Sequence, residues 1–420
     1  MKQATSAVVA LLISLSAIPS QGQPFTTTLT GTVADTGTHT LIAFRHTDDP
    51  RTGGIAIPVT NGVFRTPLHI DEIQQYALVF EHELSHGIWR PIPFFPHDGV
   101  VYFTLHSSEQ HGSNSVSGGL LNERMNAFRH QTAQLFHAEI TELNAQLRHL
   151  ERSDNQFLDA YKNLLARAQS ETDVCAREHL LEHAREQREE RTAYTLEART
   201  LLEEMEQVER KQIHWKQEYI RNNTDPFAYS LLYELFRREA LQPELIDILA
   251  LEELFRGYQA RFPNHTYTLL IDEMLQARDM LFTGSTFIDI TAKTTDGKEV
   301  VVSEIMNGEL ILLDFWASWC ASCRTSSRRI VPLYEYFGNR GFDVIGIARE
   351  FGSTQSLERV LEREAYPWTN LVDLDNRYGI WNTYHIQSAG AQYLIDSNGI
   401  ILAINPSIEE LESLLYDRFR

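Results

Sequence analysis

The apolar and polar positions of this chain follow three patterns in turn. Between residues 25 and 106, short alternating segments are separated by turn signals such as Asn61-Gly62 and Asp98-Gly99. Alternation with a period of two is typical of β-strands, which we predict at residues 26–33, 39–44, 76–80 and 100–105. An all-β N-terminal domain, a small sandwich or barrel, is therefore predicted over residues 23–119.

From residue 120 to 281, apolar residues recur three and four positions apart, as at Ile140, Leu143 and Leu147. This period predicts amphipathic helices. Residues 173–222 lack helix breakers and predict one long helix that packs on the helix before it. Its charged middle, residues 185–191, indicates the solvated protrusion of a helical hairpin, with partner binding as the alternative. Shorter helices are predicted at residues 229–235, 243–258 and 267–281.

From residue 282 to 420, strand and helix patterns alternate. A hairpin around Asp296-Gly297 is followed by apolar runs that predict strands at residues 310–315, 342–348, 392–396 and 400–404. Helices are predicted at residues 322–337, 354–364 and 407–416. Such alternation is typical of a mixed sheet with helices on both faces. The chain is thus predicted to be multidomain, with a β domain, a helical connector and a C-terminal α/β domain.

The first residues and the composition indicate the cellular setting. Lys2, an apolar run over residues 7–18 and small residues at positions 20 and 22 form the pattern of a secretory signal peptide, predicted to occupy residues 1–22. An uncleaved anchor is the alternative. A net charge of −20 argues against nucleic acid as a partner. Three cysteines are too few for a disulfide framework. One of them, Cys175, lies in a helical stretch and is predicted to be a buried, inert thiol, with a regulatory or intermolecular role as the alternative.

One motif in the β region suggests a metal. His82, Glu83 and His86 fit the His-Glu-x-x-His pattern of zinc proteases, which requires a helix that brings both imidazoles to one face. The preceding residues alternate as in a strand, on which the two histidines would lie roughly 13 Å apart. Gly87 follows at once, and no histidine occupies the third-ligand position. We therefore predict a polar strand end followed by a turn, and no metal site.

Cys320 and Cys323 carry the strongest chemical signal. A buried strand leads through residues 317–319 to Cys320, which is predicted to begin a helix with Cys323 one turn later on the same face. This spacing allows a disulfide without backbone movement. The amide groups and the dipole of the helix start favour the thiolate of Cys320. Because Cys323 is placed to attack a mixed disulfide on Cys320, the pattern predicts thiol–disulfide exchange.

The string Asp-Phe-Trp-Ala-Ser-Trp-Cys-Ala-Ser-Cys-Arg at residues 314–324 resembles the thioredoxin superfamily and, more narrowly, the TlpA/ResA-like thiol–disulfide oxidoreductases of the bacterial cell envelope. Gly-Phe-Asp-Val-Ile-Gly-Ile (residues 341–347) and Tyr-Leu-Ile-Asp-Ser-Asn-Gly (residues 393–399) follow in that family's order. Residues 89–99, 117–119 and 122 resemble an N-terminal domain of unknown function in Bacteroidetes envelope proteins, and residues 120–281 resemble its helical connector. A thioredoxin-like fold is implied for residues 282–420.

The resemblance also implies roles for single residues. Asp314 matches a buried acid that can accept the proton of Cys323 when that thiol attacks. Structural burial with a satisfied hydrogen bond is the alternative. Trp319 would form an apolar collar that docks the substrate, with ordinary packing as the alternative.

Two positions depart from the family. Gly390, between Ala389 and Ala391, stands where the family has a cis-proline whose loop faces the cysteines and binds substrate. Because a cis bond before a residue other than proline costs about 2.5–4 kcal/mol, we expect a trans bond and a different loop. Arg328 replaces a proline that kinks the helix after the cysteines, so a straighter helix is expected.

These features predict an exported thiol–disulfide oxidoreductase of the periplasm or cell envelope, with the Cys320–Cys323 pair as its redox centre and no further cofactor. The resemblance implies protein disulfides as substrates, the reductive direction and a membrane thiol carrier as electron donor. A peroxidase is disfavoured because the Pro-x-x-x-Thr-x-x-Cys pattern of peroxiredoxins is absent before Cys320. The rival from another class is a non-catalytic envelope binding protein with a degenerate thioredoxin domain.

Overall fold

The computed structural model describes residues 24–34, 37–86, 88–106, 108–384, 386 and 389–420. The predicted signal peptide lies outside these residues, and so does the side chain of Cys175. Three regions follow one another along the described chain, first rich in sheet, then helical, then mixed. None of the helices described is both long and apolar enough to cross a membrane.

The N-terminal region consists of two four-stranded sheets around one apolar core. Its elements are β1 (Phe25–Val33), β2 (Thr40–Arg45), α1 (Pro50–Gly53), β3 (Ile55–Pro58), β4 (Val63–Ile70), β5 (Tyr76–Phe80), α2 (Glu81–Ser85), β6 (Ile92–Phe94), β7 (Gly99–Leu105), a 3₁₀ segment (Ser108–Ser113) and β8 (Ser115–Ser117). One sheet has the order β4-β1-β7-β8 and the other β3-β2-β5-β6. Buried side chains from both sheets, among them Leu29, Leu78 and Phe94, form the core of this sandwich.

The strand end predicted at the His-Glu-x-x-His motif is wrong, because these residues form the short helix α2. The chain can leave the sheet here because Leu84 turns inward and packs against Ala77 and Val79 of β5. The Nδ1 atom of His86 lies 2.7 Å from the carbonyl oxygen of His82. Among the residues that the structure describes, no group of three or more His, Cys, Asp or Glu side chains could hold a metal ion.

The connector contains seven helices in its described part: α3 (Leu120–Arg152), α4 (Asp159–Ser170), α5 (Val174–Glu189), α6 (Leu196–Asn222), α7 (Pro226–Glu239), α8 (Ile248–Arg261) and α9 (Thr266–Met280). The single long helix predicted over residues 173–222 is wrong, since the chain breaks between α5 and α6. Arg191 takes a left-handed conformation there, and Ala193 and Tyr194 turn inward and are buried. The charged residues 185–191 therefore lie at the end of α5 and not in the middle of a helix.

The C-terminal region is built on one mixed seven-stranded sheet. Its elements are β9 (Thr291–Thr294), β10 (Glu299–Val301), α10 (Val302–Ile305), β11 (Leu310–Trp316), α11 (Ala321–Phe337), a 3₁₀ turn (Gly338–Arg340), β12 (Phe342–Glu350), α12 (Gln355–Glu364), β13 (Thr369–Leu374), α13 (Ile380–Thr383), β14 (Ala391–Asp396), β15 (Ile401–Ile404) and α14 (Ile408–Arg418). The strand order is β10-β9-β13-β12-β11-β14-β15. The fully buried strand β11 lies between a parallel neighbour, β12, and an antiparallel one, β14.

The two faces of this sheet are covered differently. Helices α11, α12 and α14 pack on one face, around Ile330, Leu357 and Leu411. The other face is covered by α13 and by the end of the connector, where Ala277 and Leu281 join the core. The predicted cover on both faces is thus confirmed, but the connector supplies part of it.

The β region and the connector are joined by buried hydrogen bonds. The backbone N–H of Gln75 donates to the Tyr267 hydroxyl at 3.1 Å, and the ring of His265 lies 3.2 Å from the Ile73 carbonyl oxygen. The side chain of Asn122 accepts from the N–H of Phe95 and donates to its carbonyl oxygen. The two regions therefore share their buried polar groups.

Candidate functional site

The cysteine pair lies where the chain passes from β11 into α11. Cys320 is the N-cap residue of the helix, and its Sγ accepts a hydrogen bond from the N–H of Cys323 at 3.2 Å. The two residues form a disulfide, with their Cα atoms 5.3 Å apart. Cys323 is 3% exposed, whereas Cys320 is half-buried at the surface. The predicted pairing is confirmed, and Cys320 is the sulfur that a partner can reach.

Asp314 is buried in the middle of β11, beneath the start of α11. Its side chain is 2% exposed and accepts hydrogen bonds from Ser327 Oγ at 2.9 Å and Gln392 Nε2 at 3.0 Å. The Ser327 hydroxyl also lies 3.0 Å from the carbonyl oxygen of Cys323. Burial raises the pKa of Asp314, and the two hydrogen bonds limit the rise. The carboxyl group is thus linked to the helix that carries Cys323.

A second buried carboxyl group was not found from the sequence. Glu350, at the end of β12, is 2% exposed and accepts hydrogen bonds from both the N–H and the hydroxyl of Ser318, each at 2.8 Å. Burial raises the pKa of Glu350, and these bonds act in the opposite direction. Because Ser318 lies in the turn just before Cys320, Glu350 holds that turn in place.

The Gly390 loop lies beside the buried sulfur. A Cβ atom at Gly390 would lie 3.6 Å from Cys323 Sγ, and the Gly390 N–H donates to the Phe315 carbonyl oxygen at 2.7 Å. No cis peptide bond occurs in the described chain, so the expected trans bond is confirmed. Gly390 has φ +113°, a conformation that proline cannot adopt because its ring holds φ near −65°. The loop therefore takes its shape from glycine.

The rim beside Cys320 includes a contact from the β region. Trp319 is 51% exposed, and its ring packs beside that of Phe351. The guanidinium of Arg51, on α1, lies 3.9 Å from the Phe351 ring centroid and 5.3 Å from that of Trp319. Asp49 binds this guanidinium through both oxygens, at 2.7 and 2.9 Å. The N-terminal region thus reaches the candidate docking surface.

The structure brings the predicted site residues together around one disulfide. Strand β11 carries Asp314, α11 carries the sulfurs, and Ala391 pairs with Phe315 at the start of β14. Four residues that sequence reasoning missed complete the surroundings: Arg51, Ser327, Glu350 and Gln392. Ser327 lies one helical turn after Cys323 on α11, a spacing that could have pointed to it. The local sequence of Arg51, Glu350 and Gln392 gives no signal, because tertiary pairing alone brings them to the cysteines.

Helix α11 is continuous through Arg328, whose side chain pairs with Glu364 at 2.6 Å. It nevertheless contains Pro332, nine residues after Cys323. A proline inside a helix removes one backbone hydrogen bond and favours a kink. The expectation of a straighter helix took no account of Pro332.

Residues 283–404 match the model of the AhpC/TSA family. The thiol:disulfide interchange protein DsbE of Allochromatium vinosum is 32% identical over 108 residues, which cover 25% of this chain and 56% of that protein. Protein DipZ of Mycobacterium tuberculosis is 30% identical over 112 residues, or 26% of this chain and 16% of DipZ. The thiol-disulfide oxidoreductase ResA of Geobacillus kaustophilus is 25% identical over 122 residues, or 29% of this chain and 67% of ResA.

Solved structures also resemble this part of the chain. The thioredoxin domain of a thiol-disulfide oxidoreductase from Bacteroides vulgatus is 23% identical and covers 33% of this chain and 99% of its own, with a TM-score of 0.31. Because these three curated matches cover less than a third of this chain, and only 16% of DipZ or 56% of DsbE, the likeness concerns one domain. Residues 283–404 are thus similar to a domain of the AhpC/TSA family, and the relatives that match this part of the chain include named thiol-disulfide oxidoreductases.

Proposed function

We propose that this protein is a thiol–disulfide oxidoreductase that reduces protein disulfides in the cell envelope through the Cys320–Cys323 pair. One observation carries the proposal: a half-buried sulfur caps the start of α11 and is bonded to a buried sulfur one turn later. The names of the relatives support the same chemistry. The envelope location rests on the signal-peptide pattern of residues 1–22, and a membrane thiol carrier is the proposed electron donor.

The reaction proceeds in two exchanges from the reduced enzyme. The Cys320 thiolate attacks one sulfur of the substrate, whose disulfide breaks as a mixed disulfide forms, and the departing thiolate takes a proton from water. Cys323 then gives its proton to Asp314 and attacks the Cys320 sulfur, so that the Cys320–Cys323 disulfide forms and the mixed disulfide breaks. The second substrate sulfur leaves as a thiolate and takes a proton from water. The substrate gains two electrons and two protons, and a dithiol donor restores the reduced enzyme.

Several residues of the chain prepare these steps. The N–H of Cys323 and the start of α11 stabilise negative charge on Cys320. Glu350 fixes the turn that presents this sulfur, and the Gly390 loop leaves the substrate side of Cys323 without a side chain. Trp319 offers an apolar surface beside the reacting bond.

Reduction of insulin by the full-length protein with dithiothreitol as donor tests the proposal. Cys320→Ser should lower the rate at least a hundredfold, because the nucleophile is lost. Cys175→Ser is the matched control and should leave the rate unchanged. Equal rates for the Cys320→Ser variant and the wild type would contradict the proposal and favour the binding-protein rival.

The direction is tested by the midpoint potential of the Cys320/Cys323 couple, measured by titration against dithiothreitol. A value near about −270 mV, as in thioredoxin, supports a reductant, whereas one near about −120 mV, as in DsbA, points to an oxidant. Because residues 283–404 match the AhpC/TSA family, consumption of hydrogen peroxide is measured as well. Hydrogen peroxide should not be consumed at a rate that depends on Cys320.

A further inference from the structure

A cleft of about 460 Å³ lies between the connector and the C-terminal domain. Its connector wall includes Phe236, Ile248, Met274 and Leu281, from α7, α8 and the end of α9. Side chains of α13, β14 and β15 form the opposite wall, including those of Tyr384, Tyr393 and Ile404. Because most of these side chains are apolar, the cleft is suited to an apolar group.

One loop lies between the cleft and the redox site. Ala389, Gly390 and Ala391 line the cleft, and a Cβ atom added at Gly390 would lie 3.6 Å from Cys323 Sγ. Ala389 also packs against both apolar cores of the C-terminal domain, the one that holds the cysteines and the one that faces the connector. A single layer of backbone and small side chains therefore separates the sulfurs from the cleft.

On the other side, the rim near Cys320 is covered in part. Arg51 lies over Phe351 and Trp319 and is held by Asp49. A polypeptide joined to Cys320 meets this charged contact on the Trp319 side. The Gly390 loop, by contrast, borders the cleft.

We infer that the cleft between the connector and the Gly390 loop binds an apolar side chain of the substrate segment that flanks the disulfide being reduced. This inference rests on the proposed function and names its substrate class, disulfides in extended apolar segments. Two charged side chains lie at the cleft, Glu239 and Arg278, and Arg278 pairs with Glu252 at 3.4 Å. Burial raises the pKa of Glu239. The charged groups thus lie against one wall and leave the apolar walls to the ligand.

Two short synthetic peptides with one internal disulfide test the inference, one flanked by Leu and Phe and the other by Ser and Asn. The wild type should show a kcat/KM about tenfold higher for the apolar peptide, since burial of a large apolar side chain is worth at least that factor. Ala240→Trp should remove the preference, because Ala240 is exposed and lines the cleft. Met274→Trp is a second cleft-filling variant.

Ala166→Trp is the matched control, an exposed alanine on α4 that does not line the cleft, and it should keep the preference. Hydroxyethyl disulfide, which is small and polar, should react equally with every variant. Reduction of both peptides at equal rates by the wild type, or an unchanged preference in Ala240→Trp and Met274→Trp, would overturn the inference and leave the proposed function intact.

A binding measurement tests the inference independently of catalysis. The anisotropy of the labelled apolar peptide is measured with a Cys320→Ser/Cys323→Ser protein, with and without Ala240→Trp. The dissociation constant should rise about tenfold with Ala240→Trp. If turnover proves independent of Cys320 while this difference holds, the proposed function fails and the cleft is still a binding site. If Ala240→Trp binds as tightly as its parent, the inference fails.

Discussion

At the scale of single residues, two buried carboxyl groups flank the turn that presents Cys320. Asp314 lies beneath α11, and Glu350 binds the turn through Ser318. Burial raises the pKa of both groups, since a charge is poorly solvated there. Asp314 is bound by two side chains, whereas Glu350 binds a backbone N–H and the hydroxyl of the same residue. Asp314 is therefore better placed to change its protonation state during a reaction. Glu350 is better placed to hold the backbone of the turn at Ser318.

Asp314→Asn tests the proton role. The folded-state pKa of Asp314 lies above its unfolded value of 3.8, so its contribution to stability is present below about pH 4 and is lost as pH rises through the folded-state pKa. Asparagine cannot ionise, so the variant should gain about 1 kcal/mol in the free energy of unfolding at pH 8 and little at pH 4. Urea unfolding at both pH values measures this difference.

The same variant should reduce insulin at least about tenfold more slowly, with a flatter pH profile, because the proton acceptor of Cys323 is lost. Asp343→Asn provides the control. Burial also raises the pKa of Asp343, and this residue lies at the start of β12, where its side chain accepts from the Val344 N–H. Its removal should leave insulin reduction unchanged. An Asp314→Asn enzyme with the wild-type rate and pH profile would assign Asp314 a structural role only.

The residues that could be predicted at this site are those within one local string. Cys320, Cys323 and Asp314 share a strand, a turn and a helix start, so their proximity follows from short-range geometry. Glu350 could not be predicted, because it reaches Ser318 only through the parallel pairing of β12 with β11. Arg51 is further removed still, since a contact between two regions places it at the rim.

At the scale of elements, the errors of sequence reasoning follow from tertiary burial. No proline or glycine marks the break between α5 and α6, and Arg191 adopts a left-handed conformation that Gly usually takes. The break persists because it buries Ala193 and Tyr194 against the connector core. Strands β4 and β13, of eight and six residues, were not predicted either. Strands β3, β6 and β8 escaped prediction for another reason. Each is only three or four residues long and lies at the edge of its sheet.

The end of α12 offers a test of backbone strain. Ala365 caps this helix with φ 51° and ψ 43° and is exposed. A left-handed conformation costs an L-residue roughly 1–2 kcal/mol, a cost that glycine largely avoids. Ala365→Gly should therefore raise the free energy of unfolding by about 0.5–1 kcal/mol. Ala240→Gly is the matched control, because Ala240 caps α7 in the right-handed region, and it should not be stabilising.

From the contact between α1 and the rim we predict that loss of Arg51 changes amide hydrogen exchange in the neighbouring turn. Arg51→Ala removes the cation over Phe351 and Trp319, a contact worth about 0.5–1 kcal/mol at an exposed site. Amide hydrogen exchange in residues 317–319 should become faster, as measured by mass spectrometry. Arg65→Ala, an exposed arginine on β4, should leave this exchange unchanged. Unchanged exchange in Arg51→Ala would show that the rim is held by the C-terminal domain alone.

At the scale of the whole molecule, the first two regions share a continuous interior. Phe95 of the β region and Phe227 of the connector lie in one apolar cluster, and Tyr267 reaches across to Gln75. The C-terminal sheet instead draws all seven strands from its own sequence and meets the connector through the last turn of α9.

Tyr267→Phe tests this junction. The change leaves the buried N–H of Gln75 without its acceptor, which should cost about 1–3 kcal/mol in the free energy of unfolding. Tyr102→Phe is the control, because Tyr102 is exposed on β7. Hydrogen exchange should rise in both β5 and α9 of the Tyr267→Phe variant. A rise confined to α9 would contradict the shared interior.

The junction also governs how the molecule can be divided. Backbone groups of residues 73, 75 and 95 find their partners on the connector, so a fragment that ended before residue 120 would leave them to water and uncover apolar surface. The connector by itself would suffer the same loss. An inserted linker or a protease cleavage at residue 119 would thus part groups that complete each other, and the two regions should be expressed, moved or replaced only as a pair.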